Sequence, residues 1–292
     1  MPLFDRYIAV DWSANNGPKS GKDSIWIAER TGAQAEPSIN PRTRHAAMLH
    51  VVARLERAIA AGERVLVGFD FPFGYPAGAA SALGGSARWE PLWSLITDEI
   101  EDSDANISNR FAVASRFNGR LGQTGPRFWG CPVSAANEQL STRKVGAHFD
   151  VIQEFRAVER VAKGAKSTWQ LFYNGSVGSQ CLLGVAWLQW LRQHPTLGRQ
   201  VAVWPFETRF DHDLDAPIVL AEIYPSLGKY DPAITPKDRA QVEAQVRLYF
   251  DLDHSGFLRT ALSLPPDFAG RRHISIAEEG WIVGAGHPGL LV

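Results

Sequence analysis

An apolar run, Tyr7-Ile-Ala-Val10, closes on a carboxylate, Asp11, and a second run, Val65-Leu-Val-Gly-Phe69, closes on Asp70. Few features constrain a fold more. A buried, unpaired carboxylate is costly, so an acidic residue that ends an apolar strand belongs where the strand leaves the core. Two strands of this kind predict a site built where strand ends meet. The same pattern also suits carboxylates that cap turns or helix N-termini.

The elements between and after these strands give the fold class. Ser24–Ala28 reads as a strand that forms a hairpin with the first, across a polar loop over residues 12–23, and a weaker third strand falls around Gln34–Ile39. Apolar residues Ala47, Leu49, Val51, Val52, Leu55 and Ile59 keep helical spacing between Thr43 and Gly62, directly before the second Asp-terminated strand. Antiparallel strands, then a helix, then a strand returning beside the first predict a mixed α/β sheet flanked by helices. Later elements are a helix over 88–102, helical spacing over 149–163, and a buried helix over 180–193. Strands over 200–206 and 218–224 follow, then helices over 235–250 and 274–285. Residues 105–147, rich in Gly and Pro, read as loop. The expected organisation is one domain over 1–292 with a long insertion at about 77–199, after the fourth strand.

Composition excludes several classes. Hydrophobic residues are 45% and charged residues 21% of the 292, enough apolar material for a sizeable core. The net charge of −1, from 30 basic and 31 acidic residues, argues against a bulk nucleic-acid binder but leaves room for a local patch. No apolar stretch has transmembrane length, and the N-terminal residues lack the pattern of a signal peptide. The two cysteines, Cys131 and Cys181, form no CxxC, which implies reduced structural thiols and a cytoplasmic setting.

Four carboxylates fall at expected strand ends: Asp11, Asp70, Glu207 and Glu222. Converging carboxylates repel unless a cation lies between them, and hard cations such as Mg²⁺ or Mn²⁺ take carboxylate oxygens. Such a site suits phosphoryl transfer. The order of elements, with Ile8-Ala-Val-Asp11, Val67-Gly-Phe-Asp-Phe-Pro-Phe-Gly-Tyr-Pro76 and Ala221-Glu-Ile-Tyr-Pro-Ser226, resembles the ribonuclease H-like superfamily, and more narrowly the DUF429 family of predicted ribonuclease H-like nucleases. The resemblance implies a metal-dependent nuclease-like hydrolase. Asp11, Asp70 and Glu279 would be metal ligands, Asp11 bridging, with Glu222 a further catalytic candidate and Glu278 an alternative to Glu279. The chain departs from that family in bulky Phe71 and Phe73 and in a final Ala-Glu-Glu-Gly-Trp-Ile in place of an Asp-Ala-rich run.

Gly17-Pro-Lys-Ser-Gly-Lys-Asp-Ser24 fails as a P-loop: the glycine spacing is one short, and Asp23 stands where Ser or Thr should follow the lysine. It is similar to the phosphate-binding hairpin of actin-like ATPases, where Lys19 or Lys22 would approach phosphate; a solvated surface loop fits it too. Residues 110–166 hold ten Lys or Arg against four acidic residues, interleaved with aromatics. That pattern suits a nucleic acid, a phosphorylated small molecule or plain scaffold, with Arg127, Lys144 and Lys166 the candidate contacts. Gly175-Ser-Val-Gly-Ser-Gln180 puts Ser176, Ser179 and Gln180 at the start of the buried helix, as anion-facing amides or as ordinary caps. His148, His212 and His254 show no metal-binding spacing. The alternatives to a hydrolase are a nucleotide-binding phosphotransferase-like protein and a non-enzymatic binding protein associated with a cofactor-biosynthesis pathway.

Overall fold

The computed structural model describes residues 1–122, 125–144, 149–211 and 213–291; His148 and His212 lie outside them. A six-stranded mixed sheet, in the order β3-β2-β1-β4-β6-β5, forms the centre. β1 (Arg6–Asp11) pairs antiparallel with β2 (Trp26–Thr31), and β2 with the short β3 (Gln34–Ala35). Helix α1 (Arg44–Ala60) starts where Thr43 Oγ1 accepts the Ala46 amide, and carries the chain across to β4 (Val65–Phe69), parallel beside β1. β6 (Ile218–Glu222) is parallel to β4, and β5 (Val201–Val203) forms the edge, parallel to β6. The mixed α/β sheet flanked by helices is thus the architecture that the element order predicts. Between β4 and β5 lie α2 (Ala79–Gly84), α3 (Trp89–Glu99), α4 (Arg110–Leu121) and α5 (Gly178–Arg192); after β6 come α6 (Lys237–His254) and α7 (Leu258–Ala261).

The strand pleat sorts the core into two layers. Ile8, Val10, Val67 and Phe69 join Met48, Val51 and Leu55 of α1 and Leu182, Val185 and Leu188 of α5 on one face. Tyr7, Ala9, Leu66, Val219 and Ala221 join Val242, Val246 and Tyr249 of α6 on the other. Both faces of the central strands are therefore covered, which is why those strands read as continuous apolar runs rather than alternating ones.

Three expected elements differ. The 149–163 segment is not a helix: only Val158–Arg160 forms a short 3-10 turn. The carbonyls of Gln153 and Glu154 accept from Trp169 Nε1 and Ser167 Oγ, and the Arg156 amide donates to Glu159, so these backbone groups serve tertiary contacts. The supposed loop at 105–147 contains α4, whose Val113, Ala114, Phe117 and Leu121 are buried at helical spacing. The chain end holds only Arg272–Ile274 and a π-turn at Ser275–Glu279 in place of a regular helix over 274–285. Among the described residues, no helix is long and apolar enough to cross a membrane.

Candidate functional site

Register and pleat decide which strand-end carboxylates meet. Val10 pairs with Phe69, and the Asp70 amide donates to the Val10 carbonyl, so Asp11 and Asp70 follow one step later on neighbouring parallel strands. They continue the rows of Tyr7 and Ala9 and of Leu66 and Gly68, which face α6. Phe69 pairs with Glu222, which puts Glu222 in the row of Val10 and Phe69, on the opposite face. Helix α6 adds a carboxylate to the face shared by the two aspartates. Asp238 lies in its first turn, where an acidic side chain suits the helix dipole, and its Oδ2 accepts the Asp23 amide at 2.6 Å, tying the β1–β2 loop to α6.

These three aspartates line one cleft of ≈ 1100 Å³. Asp11 and Asp70 are half-buried, and among the described residues neither carboxylate accepts a hydrogen bond or pairs with a cation. Their electrostatics follow. Burial, then the Asp70 and Asp238 charges, push Asp11 well above the usual carboxylate range. Burial, then Glu222 and Asp238, push Asp70 up to about 7, and Lys237 only partly offsets this. The same cleft is lined by the cations Lys19, Arg110 and Lys166, and by the exposed aromatics Phe172 and Tyr173 at its rim.

Other candidates from the sequence lie elsewhere. Glu222 does not reach the cleft: its carboxylate takes both Nη atoms of Arg156, at 2.6 and 2.8 Å, and accepts the Phe73 amide at 2.9 Å. Arg156, fully buried, also binds Glu159, and the two carboxylates keep it charged against the cost of burial. Glu279 is likewise placed away from Asp11 and Asp70: its oxygens accept the amides of Ala77 (3.1 Å) and Ala157 (3.0 Å). Glu278 accepts the Gly78 amide at 2.9 Å. Both clamp the chain that leaves β4. Glu207 pairs with Arg192 and takes the Val203 amide.

Much of the basic segment is neutralised or buried. Arg116 and Arg120 pair with Glu99, Lys144 with Glu154, and Arg156 with Glu159 and Glu222. Arg127 is buried and stacks on Phe149, while Phe117, Phe128 and Trp169 are core. Of the four expected contacts, only Lys166 lines the cleft; Lys22 is exposed outside it, whereas Lys19 lines it. His254 is exposed at the end of α6, and Cys131 is buried.

Sequence reasoning missed Asp238 and Arg110 as cleft residues. The signal for Asp238 was an acid in the first turn of the helix that follows the last strand. Among the described residues, no group of three or more His, Cys, Asp or Glu is assembled closely enough to enclose a metal ion. The donor chemistry at Asp11 and Asp70 still suits a hard cation: two adjacent carboxylates with uncompensated charge, with Asp238 beside them. Mg²⁺ commonly uses one or two carboxylates and completes its shell with water and substrate phosphate. No family model, curated protein or solved structure matches this chain.

Proposed function

We propose that the protein is a divalent-cation-dependent phosphoryl-transfer enzyme, a nuclease-like phosphoester hydrolase on a ribonuclease H-like sheet, acting in the cytoplasm. One observation carries the reading: Asp11, Asp70 and Asp238 converge in a cleft where the first two have neither a hydrogen-bond donor nor a cation of their own. The strand order and the α1 crossover beside β1 support the fold assignment, with residues 77–199 as the insertion. In this reading the resemblance to the DUF429 family extends to Asp11 and Asp70; among the described residues no third carboxylate stands in for the ligand expected at Glu279, and Asp238 adds charge beside the pair.

Asp11 and Asp70 would hold Mg²⁺ or Mn²⁺, with Asp238 adding negative charge beside them. Such an ion supplies a water of lowered pKa and offsets charge on a phosphoryl oxygen. The chain's own part is to fix the carboxylates and to draw the anionic substrate in. β1 and β4 hold Asp11 and Asp70 on the hydrogen-bonded ladder of the sheet, and α6 fixes Asp238 through the Asp23 amide. Lys19 and Lys166 bring positive charge to a phosphate entering the cleft.

The test is thermal melting with added Mn²⁺. The wild type should be stabilised through preferential binding to the folded state, and Asp11→Ala should not. Stabilisation of neither protein, or of both equally, removes the metal site. A nucleotide-binding reading is favoured by one observation, that Lys19 of the β1–β2 loop lines the cleft, its amino group 3.9 Å from Asp23. It predicts that ATP raises the melting temperature and that an oligonucleotide does not.

A further inference from the structure

Arg110 is a nearly buried cation to which the fold gives neutral partners but, among the described residues, no paired carboxylate. It is the first residue of α4, where the helix dipole disfavours a cation. It is only 6% exposed. The carboxylate nearest in charge terms, Asp102, is already committed to Arg44 by two bonds of 2.6 Å and to Trp187 Nε1 at 2.9 Å. Arg110 Nε donates to Ser179 Oγ at 3.1 Å and Nη1 to Ser108 Oγ at 2.8 Å and Asn16 Oδ1 at 3.5 Å, and the guanidinium lies over the Phe111 ring, 4.5 Å from its centroid; all these partners are neutral, and among the described residues Nη2 has no partner and no carboxylate pairs with the guanidinium. Burial, then the neighbouring Arg44, lower its affinity for the proton to a pKa of about 10. An uncompensated buried charge is costly, so an anion that reached this guanidinium would be favoured.

A second feature meets it in the same cleft. Helix α5 starts at Gly178, and Val177 at its cap position offers no side-chain acceptor. The serines therefore do not cap it. Ser179 Oγ turns instead to Leu171 and Arg110, and Gln180 Nε2 to the Trp12 carbonyl. The amides of Ser179 and Gln180 have no acceptor among the described residues, at the positive end of a 15-residue helix. Both residues line the cleft with Arg110.

We propose that the Arg110 guanidinium and the Ser179 and Gln180 amides form a phosphate-binding subsite, separate from the aspartates, which anchors a substrate by a terminal phosphate. This rests on the phosphoryl-transfer reading for the class of substrate. A terminal phosphate fits better than an internal diester for two reasons. The subsite is recessed around a nearly buried arginine. Four of the ten basic side chains that could have followed a polynucleotide backbone are paired with carboxylates and Arg127 is buried.

Melting temperature and calorimetric binding test this in EDTA, so that no divalent ion takes part. The probes are inorganic phosphate, ribose 5-phosphate and an unphosphorylated tetranucleotide. Phosphate and ribose 5-phosphate should stabilise the wild type and Asp70→Asn alike. Arg110→Met should bind phosphate roughly 10- to 100-fold more weakly, the loss expected for a charge-assisted bidentate contact. Should Arg110→Met fail to fold, Arg110→Lys keeps the charge, loses the planar fork and must show the same direction of loss. Undiminished phosphate binding by these variants overturns the subsite, as does an absent response in the wild type. Tetranucleotide binding as tight as ribose 5-phosphate overturns the terminal-phosphate assignment. A missing Mn²⁺ response beside an intact phosphate response counts against the metal reading alone.

Discussion

Asp70→Asn should make the metal-free protein more stable at about pH 8. The Asp70 midpoint is raised by burial and by the Glu222 and Asp238 charges from the ordinary 3.8 to about 7. A carboxylate raised in this way favours folding below its unfolded-state value and loses that contribution as pH climbs through the folded value. Above pH 7 the folded protein therefore carries a charge that the unfolded chain tolerates better. A displacement of roughly 3 pH units at 1.36 kcal/mol each sets a ceiling of about 4 kcal/mol. The carboxylate reaches the cleft solvent, which screens the repulsion, so about 1–2 kcal/mol is the realistic gain. For a chain of this size that is roughly 2–8 °C in melting temperature. Asparagine keeps the shape, and the carboxylate has no hydrogen bond among the described residues to lose. The assay is thermal melting of both proteins in EDTA at about pH 5 and pH 8. The advantage of Asp70→Asn should be measurably smaller at the lower pH, where the wild-type carboxyl takes up its proton in the folded state. A variant that is less stable at pH 8, or whose advantage does not depend on pH, refutes the raised midpoint.

Three further outcomes are expected. Arg156→Met leaves Glu159 and Glu222 buried without their cation and should cost about 3–5 kcal/mol in urea unfolding; a loss under about 1 kcal/mol would show that the pair is solvated. Gly74→Ala places a methyl group 2.5 Å from the Glu279 carbonyl oxygen and closer still to that of Glu278, so the Ser275–Glu279 turn must shift; about 1–3 kcal/mol of destabilisation is expected, and a neutral result contradicts the close packing. Asp238→Asn removes one of the charges that raise Asp70, so the Asp70 midpoint, followed by carboxyl NMR, should fall below about 7; an unchanged midpoint takes Asp238 out of the cluster.

The site was legible in the sequence where it depended on neighbouring strands. Asp11 and Asp70 end apolar runs joined by a helical crossover, and that alone brings them to adjacent positions. Glu222 ends a strand just as convincingly, but β6 is apolar on both faces, so no alternation in the sequence shows which way its last residue points. The register with Phe69 settles it, one residue out of phase with Asp70. Glu279 failed as a companion because the π-turn folds its carboxylate against the amides of Ala77 and Ala157, some 200 and 120 residues away in the chain.

The sequence by itself determined the sheet's first hairpin, the parallel return of β4 and the two aspartates at their ends, because strand periodicity and a right-handed crossover are local rules. Tertiary structure alone decided which charges are spent and which are free. Ten basic residues between 110 and 166 look alike in one dimension. Folding pairs Arg116, Arg120, Lys144 and Arg156 with carboxylates and leaves Arg110, among the described residues, with neutral partners only beside the start of α5. Charge compensation depends on distance through space, so the residue type cannot reveal it. The cleft is defined by those uncompensated groups, Asp11 and Asp70 of one sign and Arg110 of the other.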